Sequence, residues 1–458
     1  MNEENRAKLI EIVEGMRLRL FKDDASDLVS YVEEMHAADL AEAYLLLEDR
    51  EKRRLFEQLP VEIAADIVEE LESEEQADLL SGMGSDKASD IIEKMESDDA
   101  ADLLTELDVD RASDILGKMD SEDAEEFKEL MSYEDDSSGG IMGTEYISLS
   151  PGMKVEEALQ YIKKNGSEAQ TLNDIFVVDS DERLIGILSL RDLVVASPML
   201  NVSDTMHRKV VKIKVDSDQE EAAELFKKYG ISALPVVDED DRLTGIITAD
   251  DILHVVDDEA TEDIHKMAGT ISSDDSYLST PSVSHWRNRI IWLVILFFAD
   301  MSSGFIMKGF EKSLEAVVAL TFFIPLLIGC GGNAGSQASA VVIRSLALKE
   351  VKLKDSAPII LKEASVGLLL GLVTGLAGIV LSFVIPHAGV DWLSMGLTIG
   401  ISILFTVAIG TIAGAALPLL ATFLHLDPAV TAGPLITTVV DALGLIVYFS
   451  VAKLVIGL

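Results

Sequence analysis

The stretch Pro434-Leu-Ile-Thr-Thr-Val-Val-Asp-Ala-Leu-Gly444 sets one carboxylate, Asp441, near the middle of an apolar segment, Pro428–Ala452. A bilayer-crossing helix needs about 20 mostly apolar residues, and this segment is long enough. An ionisable side chain at that depth costs at least ~2.5–3.5 kcal/mol and marks function by default. No basic residue lies near the centre of the segment to neutralise it. The structural alternative is a protonated Asp bonded to a neighbouring helix. Four more apolar stretches precede this one, near Ile290–Met307, Ala316–Ile343, Ala364–Ile385 and Leu393–Leu424. Five spans are therefore expected, and the fourth, uncharged from Trp392 to Leu424, is long enough to be split.

Charge separates this half from the rest of the 458-residue chain. From His285 onward there are 10 basic and 9 acidic residues, whereas Met1–Ser284 holds 27 basic and 71 acidic ones, a net of -44. Such a polyanion repels phosphate backbones, so nucleic-acid binding is excluded, and its natural partners are cations. The single cysteine, Cys330, rules out a disulfide framework or a Cys-based zinc module. The seven histidines show no H-E-x-x-H spacing. An enzyme is not expected. The polar start, Met1-Asn-Glu-Glu-Asn5, reads as no cleavable signal peptide. Arg287 and Arg289 before the first span, and Arg344, Lys349, Lys352, Lys354 and Lys362 around the second-to-third loop, place those segments inside. The third-to-fourth loop, with His387 and Asp391, has no Lys or Arg. A multi-pass cell-membrane protein results, with its acidic amino-terminal half in the cytosol and its carboxyl terminus outside.

Within the spans, Gly371, Gly375, Gly378, Gly410 and Gly414 suit close helix packing. The run Gly329-Cys-Gly-Gly-Asn-Ala-Gly-Ser-Gln337, after Pro325, is expected to weaken its helix in mid-membrane. Irregular backbone there is tolerated only where it is buried in protein or lines a wet cavity. Asn333 and Gln337, four apart, share one face. Asp300 is a second intramembrane acid, expected to bond Ser302 or Ser303, and Asp427 falls at the cytoplasmic mouth.

In the acidic half, Asp66, Asp78, Asp90, Asp102 and Asp114 recur every twelve residues, each followed by Ile or Leu. On one continuous helix that step would rotate the face by about 120°, so no constant apolar stripe would form. Short helices joined by turns and stacked as a solenoid are expected. Ser73, Ser85, Ser97 and Ser121 stand where N-caps belong. A second repeat, at an interval of 59, pairs Phe176–Asp192 with Pro235–Asp251, each reading strand, acidic turn, strand and helix start. Gly186…Ser189…Asp192 and Gly245…Thr248…Asp251 match the G-h-x-[ST]-x-x-D motif, and the pattern resembles a tandem pair of CBS domains. That resemblance implies a possible adenine-nucleotide site at Ser189, Arg191 and Asp192, with ATP as a regulatory ligand. On the helix that follows, Asp251, Asp258 and Glu262 share a face flanked by Glu259 and Asp263. Like charges so close call for counter-cations.

Taken in order, these parts resemble the MgtE family of magnesium channels. The pieces that carry the likeness are Tyr133-Glu-Asp-Asp-Ser-Ser-Gly-Gly-Ile-Met142, Glu259-Ala-Thr-Glu-Asp-Ile-His265, Gly331-Gly-Asn-Ala-Gly-Ser-Gln337, and Asp427-Pro-Ala429 with Pro434…Asp441. The fold class is then mainly α with an α/β CBS pair: an acidic helical repeat domain (1–135), two CBS domains (136–199 and 200–256), a connecting helix (257–284) and a five-helix transmembrane domain (285–458). The resemblance implies a homodimer in the lipid bilayer. Its pore is lined by the second and fifth spans, with Asn333, Gln337, Gly433 and Pro434 as lining candidates and Asp441 as the ion site. A cytosolic Mg²⁺ sensor is implied at Asp251, Asp258, Glu259, Glu262 and Asp263, with Asp427 facing the connecting helix and Asp99 and Asp102 joining from the repeats. Gly433 departs from the family pattern, which often has Asn before that proline. The chemistry agrees, because Mg²⁺ prefers oxygen ligands and sheds water reluctantly. Two rival functions are a nucleotide-sensing membrane scaffold and a coupled transporter of Co²⁺ or another divalent ion.

Overall fold

The computed structural model describes residues 3–22, 25–167, 169–271, 277, 280–384 and 390–457. Ile385 of the expected third span and His387 of the following loop lie outside the described residues. The chain divides into two compact units, Met1–Asp257 and Asp258–Leu458.

The first unit opens with helices α1 (Glu3–Leu20), α2 (Ala25–Val32), α3 (Ala37–Leu45), α4 (Asp49–Gln58), α5 (Val61–Glu69), α6 (Ser73–Ser81), α7 (Ser85–Ile92), α8 (Ser97–Glu106), α9 (Val109–Leu116) and α10 (Ser121–Leu130). Alternate helices stack, α3 on α5 on α7 on α9 and α6 on α8 on α10. One short helix and one turn per repeat return each Ile or Leu to the interior. Ile67, Leu79, Ile91, Leu103 and Ile115 are all buried, while the preceding aspartates remain exposed. The expected serine caps are corrected. Ser73, Ser85, Ser97 and Ser121 are the first helical residues, and the caps before them are Glu72, Gly84, Glu96 and Asp120, without side-chain cap bonds. Two of these hydroxyls tie distant segments instead: Ser85 donates to Asp114 at 2.8 Å and Ser97 to Glu145 at 3.0 Å.

Two matching three-stranded sheets follow. In the first, β1 (Ser148–Leu149) runs parallel to β2 (Asp174–Val178), which is antiparallel to β3 (Leu184–Ser189). In the second, β4 (Ile213–Lys214), β5 (Ala233–Val237) and β6 (Leu243–Thr248) repeat that order. Register is preserved across the duplication: Asp174 lies opposite Ser189, and Ala233 opposite Thr248. The connecting helix, Ala249–Ala268, leaves directly from β6 and crosses the division between the units.

Among the described residues of the second unit five helices are long and apolar enough to cross a membrane: Ser282–Gly309, Val318–Ala347, Leu353–Ser382, Trp392–Phe423 and Pro428–Ile456. The fourth is one continuous 32-residue helix with Pro418 inside it, so it is not split. It is also the most buried, packed against the second, third and fifth. Glycine makes this possible. A Cβ on Gly414 would stand 2.1 Å from the Gly335 carbonyl oxygen, and one on Gly410 would stand 2.5 Å from that of Gly331. The expected break at Gly329–Gln337 is therefore corrected: this run lies within an unbroken helix, Ile324–Ala347. Pro325 occupies its first turn, where no amide donor is needed. The glycines' helix cost, about 1 kcal/mol each, is offset by backbone-to-backbone approach. Gly371 and Gly375 likewise meet the Leu404 and Gly400 carbonyls of the fourth span.

Gly414→Val should overpack this crossing and destabilise the detergent-solubilised protein by about 1–3 kcal/mol or more. Gly329→Ala, where nothing lies within 4 Å of the new methyl group, should be neutral or stabilising. Thermal unfolding of both variants checks the pair; equal midpoints would contradict the packing assignment.

Candidate functional site

The fifth span carries its polar residues on distinct sides. Val440 and Ile436 close over Gly331 and Gly335 of the second span, and Thr437 meets Gly332. Thr438 turns the other way and donates its hydroxyl to Asp300 Oδ1 of the first span at 2.9 Å, so the partner of Asp300 comes from the fifth span and corrects the expected Ser302 or Ser303. Asp441 comes three residues after Thr438 and four after Thr437, which sets it one turn further along the seam between them. It is half-buried, and its Oδ1 is shielded from solvent without a hydrogen-bond partner. Asn333 and Gln337 both lie on the exposed side of the second span. They share a face, as their spacing implies.

At the start of the fifth span, Gly433 has φ +50°, and a Cβ there would stand 2.5 Å from the Met267 carbonyl oxygen. Any other residue would be strained there and would collide with the connecting helix. Pro434 then begins the helix in its first turn. Asp427 has two tasks. Its Oδ1 accepts the Ala429 amide at 2.7 Å, and its Oδ2 receives Lys266 Nζ at 2.8 Å. The same ammonium reaches Glu262 at 2.7 Å. Burial opposes that charge, but the hydrogen bonds it donates to both carboxylates outweigh burial and hold the Lys266 pKa above its ordinary value. Asp263 is pushed upward, first by burial and then by the charge of Asp427. Two sensor candidates, Glu262 and Asp427, are thus bridged by an ammonium in the described conformation. Sequence reading had not included Lys266, although it stands four residues after Glu262, a helical ion-pair spacing.

A denser group of acids sits in the first unit, around the start of α8. Asp98 is 6% exposed, and its Oδ1 has no partner. Burial, with Asp251, Asp99, Glu96 and Glu145 nearby, drives its pKa well upward. Burial and Glu69 push Glu96 up to about 7, despite a hydrogen bond from Gln170. Asp99 is pushed up to about 8 by surrounding protein and then by Glu69, Glu96, Asp251 and Asp102. Asp102 rises for the same first reason, reinforced by Asp135 and Glu106. Asp99 and Asp102 keep solvent contact, which tempers the effect without changing its sign. Asp251 rises through burial, although Thr248 donates both its amide and its hydroxyl to that carboxylate at 2.8 Å. The fold therefore gathers Asp99 and Asp251 and adds Glu69, Glu96, Asp98 and Glu145, which the sequence had not singled out. Ser97-Asp98-Asp99 was the available signal, but only packing decides which of two adjacent acids turns inward.

The face expected along the connecting helix is divided. Asp251 belongs to the first-unit cluster, whereas Glu262 and Asp263 lie beside Asp427 in the second unit. Asp258 is exposed and Glu259 half-buried. Among the described residues no three His, Cys, Asp or Glu side chains are grouped so as to hold a metal ion. In the first CBS-like copy, Asp192 Oδ2 accepts the Ser189 amide at 2.9 Å and its hydroxyl at 2.7 Å, closing a helix cap. These bonds hold Asp192 below its ordinary pKa. His207 stands 3.7 Å away, and Arg191 is exposed beside it.

Five helices long and apolar enough to cross a membrane, joined to a carboxylate-rich unit with duplicated CBS-like sheets, are the architecture of a multi-pass membrane protein. Comparison with known proteins agrees. The "Divalent cation transporter" family matches residues 324–451, "MgtE intracellular N domain" matches 35–136, and "CBS domain" matches 138–198 and 202–258. The chain is 43% identical over 334 residues to a magnesium transporter MgtE of Thermus thermophilus, covering 72% of each protein. It is 36% identical over 329 residues to that of Enterococcus faecalis, covering 72% of this chain and 71% of the relative. A crystal structure described as the cytosolic domain of the Mg²⁺ channel MgtE in complex with ATP matches with a TM-score of 0.51 and 36% identity, over 53% of this chain and 99% of that one. The chain belongs to the MgtE family of magnesium transporters.

The raised carboxylates of the first unit favour the folded state below their ordinary values, near about 4, and that stability is lost as pH rises through about 7–8. Without Mg²⁺, the thermal midpoint of the full-length protein should fall from about pH 5 to about pH 8, and Mg²⁺ at the upper pH should restore it. Asp98→Asn with Asp99→Asn should flatten the pH dependence. An unchanged slope in that double variant would count against the cluster.

Proposed function

We propose that the protein conducts Mg²⁺ across the cell membrane as a homodimer, through a central passage lined by the second and fifth spans, and that its acidic half senses cytosolic Mg²⁺ and closes the passage. The single observation that carries conduction is Asp441, an acid held in a seam between spans with one oxygen lacking a partner. Two copies about a twofold axis would present carboxylates to a hydrated ion without a tight cage, which suits an ion that dehydrates reluctantly. Asn333, Gln337, Gly433 and Pro434 line that route. The amino terminus lies in the cytosol and the carboxyl terminus outside, following the basic loops.

The division of labour is 1–135 and the CBS pair, 136–199 and 200–256, as sensor, 257–284 as connecting segment, and 285–458 as the conducting part. Sensing acts through Asp99, Asp102 and Asp251 in one group and Asp258, Glu259, Glu262, Asp263 and Asp427 in another. At low Mg²⁺, repulsion among these acids keeps their elements loosely held. Bound Mg²⁺ removes the repulsion and fixes the connecting helix in its closed position. The Lys266 ammonium, already between Glu262 and Asp427, supports the idea that this spot favours a cation. ATP binding belongs to the first CBS copy, through Ser189, Arg191 and Asp192, and tunes the same switch.

Asp441→Ala should abolish Mg²⁺ uptake into proteoliposomes or remove its selectivity; full selective uptake would reject Asp441 as the ion site. Glu259→Ala with Glu262→Ala should shift inhibition by internal Mg²⁺ by about tenfold or more. An unshifted inhibition curve, measured in vesicles of controlled internal Mg²⁺, would remove both residues from the sensor.

A further inference from the structure

The first span holds an acid that the conduction scheme leaves unused. Asp300 lies within the apolar stretch Ile290–Met307, which contains no basic residue. Along this helix the half-covered residues Asn288, Trp292, Leu296, Ala299, Ser303 and Ile306 recur every three or four positions, and the fifth span is the main element packed against it. Asp300 stands at the edge of that stripe. Its Oδ1 accepts the Thr438 hydroxyl at 2.9 Å. Thr438 is one helical turn before Asp441, so the hydroxyl bond sets the Asp300 carboxylate against the turn of the fifth span that precedes Asp441. A neutral amide oxygen would accept the same hydroxyl equally well, so the hydrogen bond alone does not require an acid. A charge does. Two carboxylates at low dielectric repel unless a cation neutralises both, and a divalent ion does so where a monovalent ion leaves one charge uncompensated.

We infer that Asp300 is a specificity-determining residue: Thr438 holds it beside Asp441, where it adds to each protomer's Asp441 a further negative charge that biases the site towards a divalent ion. The inference rests on Asp441 being the ion site. Three variants of the full-length protein in proteoliposomes separate the possibilities. Asp300→Asn keeps the acceptor and removes the charge. It should raise the half-saturating Mg²⁺ concentration by about tenfold and lower the Mg²⁺-over-Na⁺ flux ratio by a similar factor, at an unchanged thermal midpoint. Asp300→Glu, which retains the charge, should recover most of that ratio. Thr438→Val keeps the charge but frees the side chain, and should weaken half-saturation while sparing the flux ratio.

Wild-type half-saturation and selectivity in Asp300→Asn would overturn the inference, as would a flux ratio lost equally in Thr438→Val. Should Asp300→Asn not fold, Asp300→Ser, which also removes the charge, replaces it in the same assay with the same expected and overturning results. Asp441→Asn in the same assay keeps the two readings apart. Lost uptake there with a silent Asp300→Asn would sink only the role of Asp300. Wild-type behaviour in both would sink the ion site itself.

Discussion

Carboxylates held close together without enough cations are the constraint on which the structure turns. Seventy-one acids against 27 basic residues in the amino-terminal half leave an excess of 44 negative groups with no basic residue to match them. Several are partly buried all the same, and Asp98 almost completely. Burial and mutual repulsion each penalise the charged form, and the fold bears that penalty at one place in particular, around α8 and Asp251. Serine and threonine hydroxyls relieve part of it, Ser97 through Glu145 and Thr248 through Asp251. A divalent ion would relieve far more. Cations bound there would offset that penalty in the folded state, and the proposed sensing rests on this.

The second unit meets the opposite problem, since apolar helices in lipid gain little from hiding apolar surface from one another. Close approach takes over that role. Gly331 and Gly335 against Gly410 and Gly414 let two spans meet backbone to backbone, and Val440 and Ile436 of the fifth span fill the remaining groove. This packing fixes the rotation of the fifth span. Thr437 must then face the second span and Thr438 the first, leaving Asp441 in the seam. The carboxylate's position follows from glycines that carry no chemistry themselves.

Near the connecting helix a different balance holds. Gly433 takes a left-handed conformation because the Met267 carbonyl occupies the space of any side chain, and Lys266 brings one ammonium to both Glu262 and Asp427. Charge and steric fit act together there. A side chain before Pro434 would meet that carbonyl, and the glycine lets the entrance of the fifth span approach the helix beside it.

Much of this was legible in the chain alone, because it depends on periodicity and composition. Five apolar runs, the twelve-residue step, the duplication at 59 and the isolated acid at Asp441 each follow from spacing that any fold must respect. Local features were misread where a tertiary contact overrode a local preference. The glycine run continued as helix because neighbouring backbones fill the space beside it. Ser85 and Ser97 became cross-links because acids from other segments stood within reach. The separation of Asp251 from Glu262, the inward turn of Asp98 and the meeting of Asp300 with Thr438 belong to the tertiary structure, since a side chain's charge is written in the sequence but its neighbours are chosen only when distant elements pack.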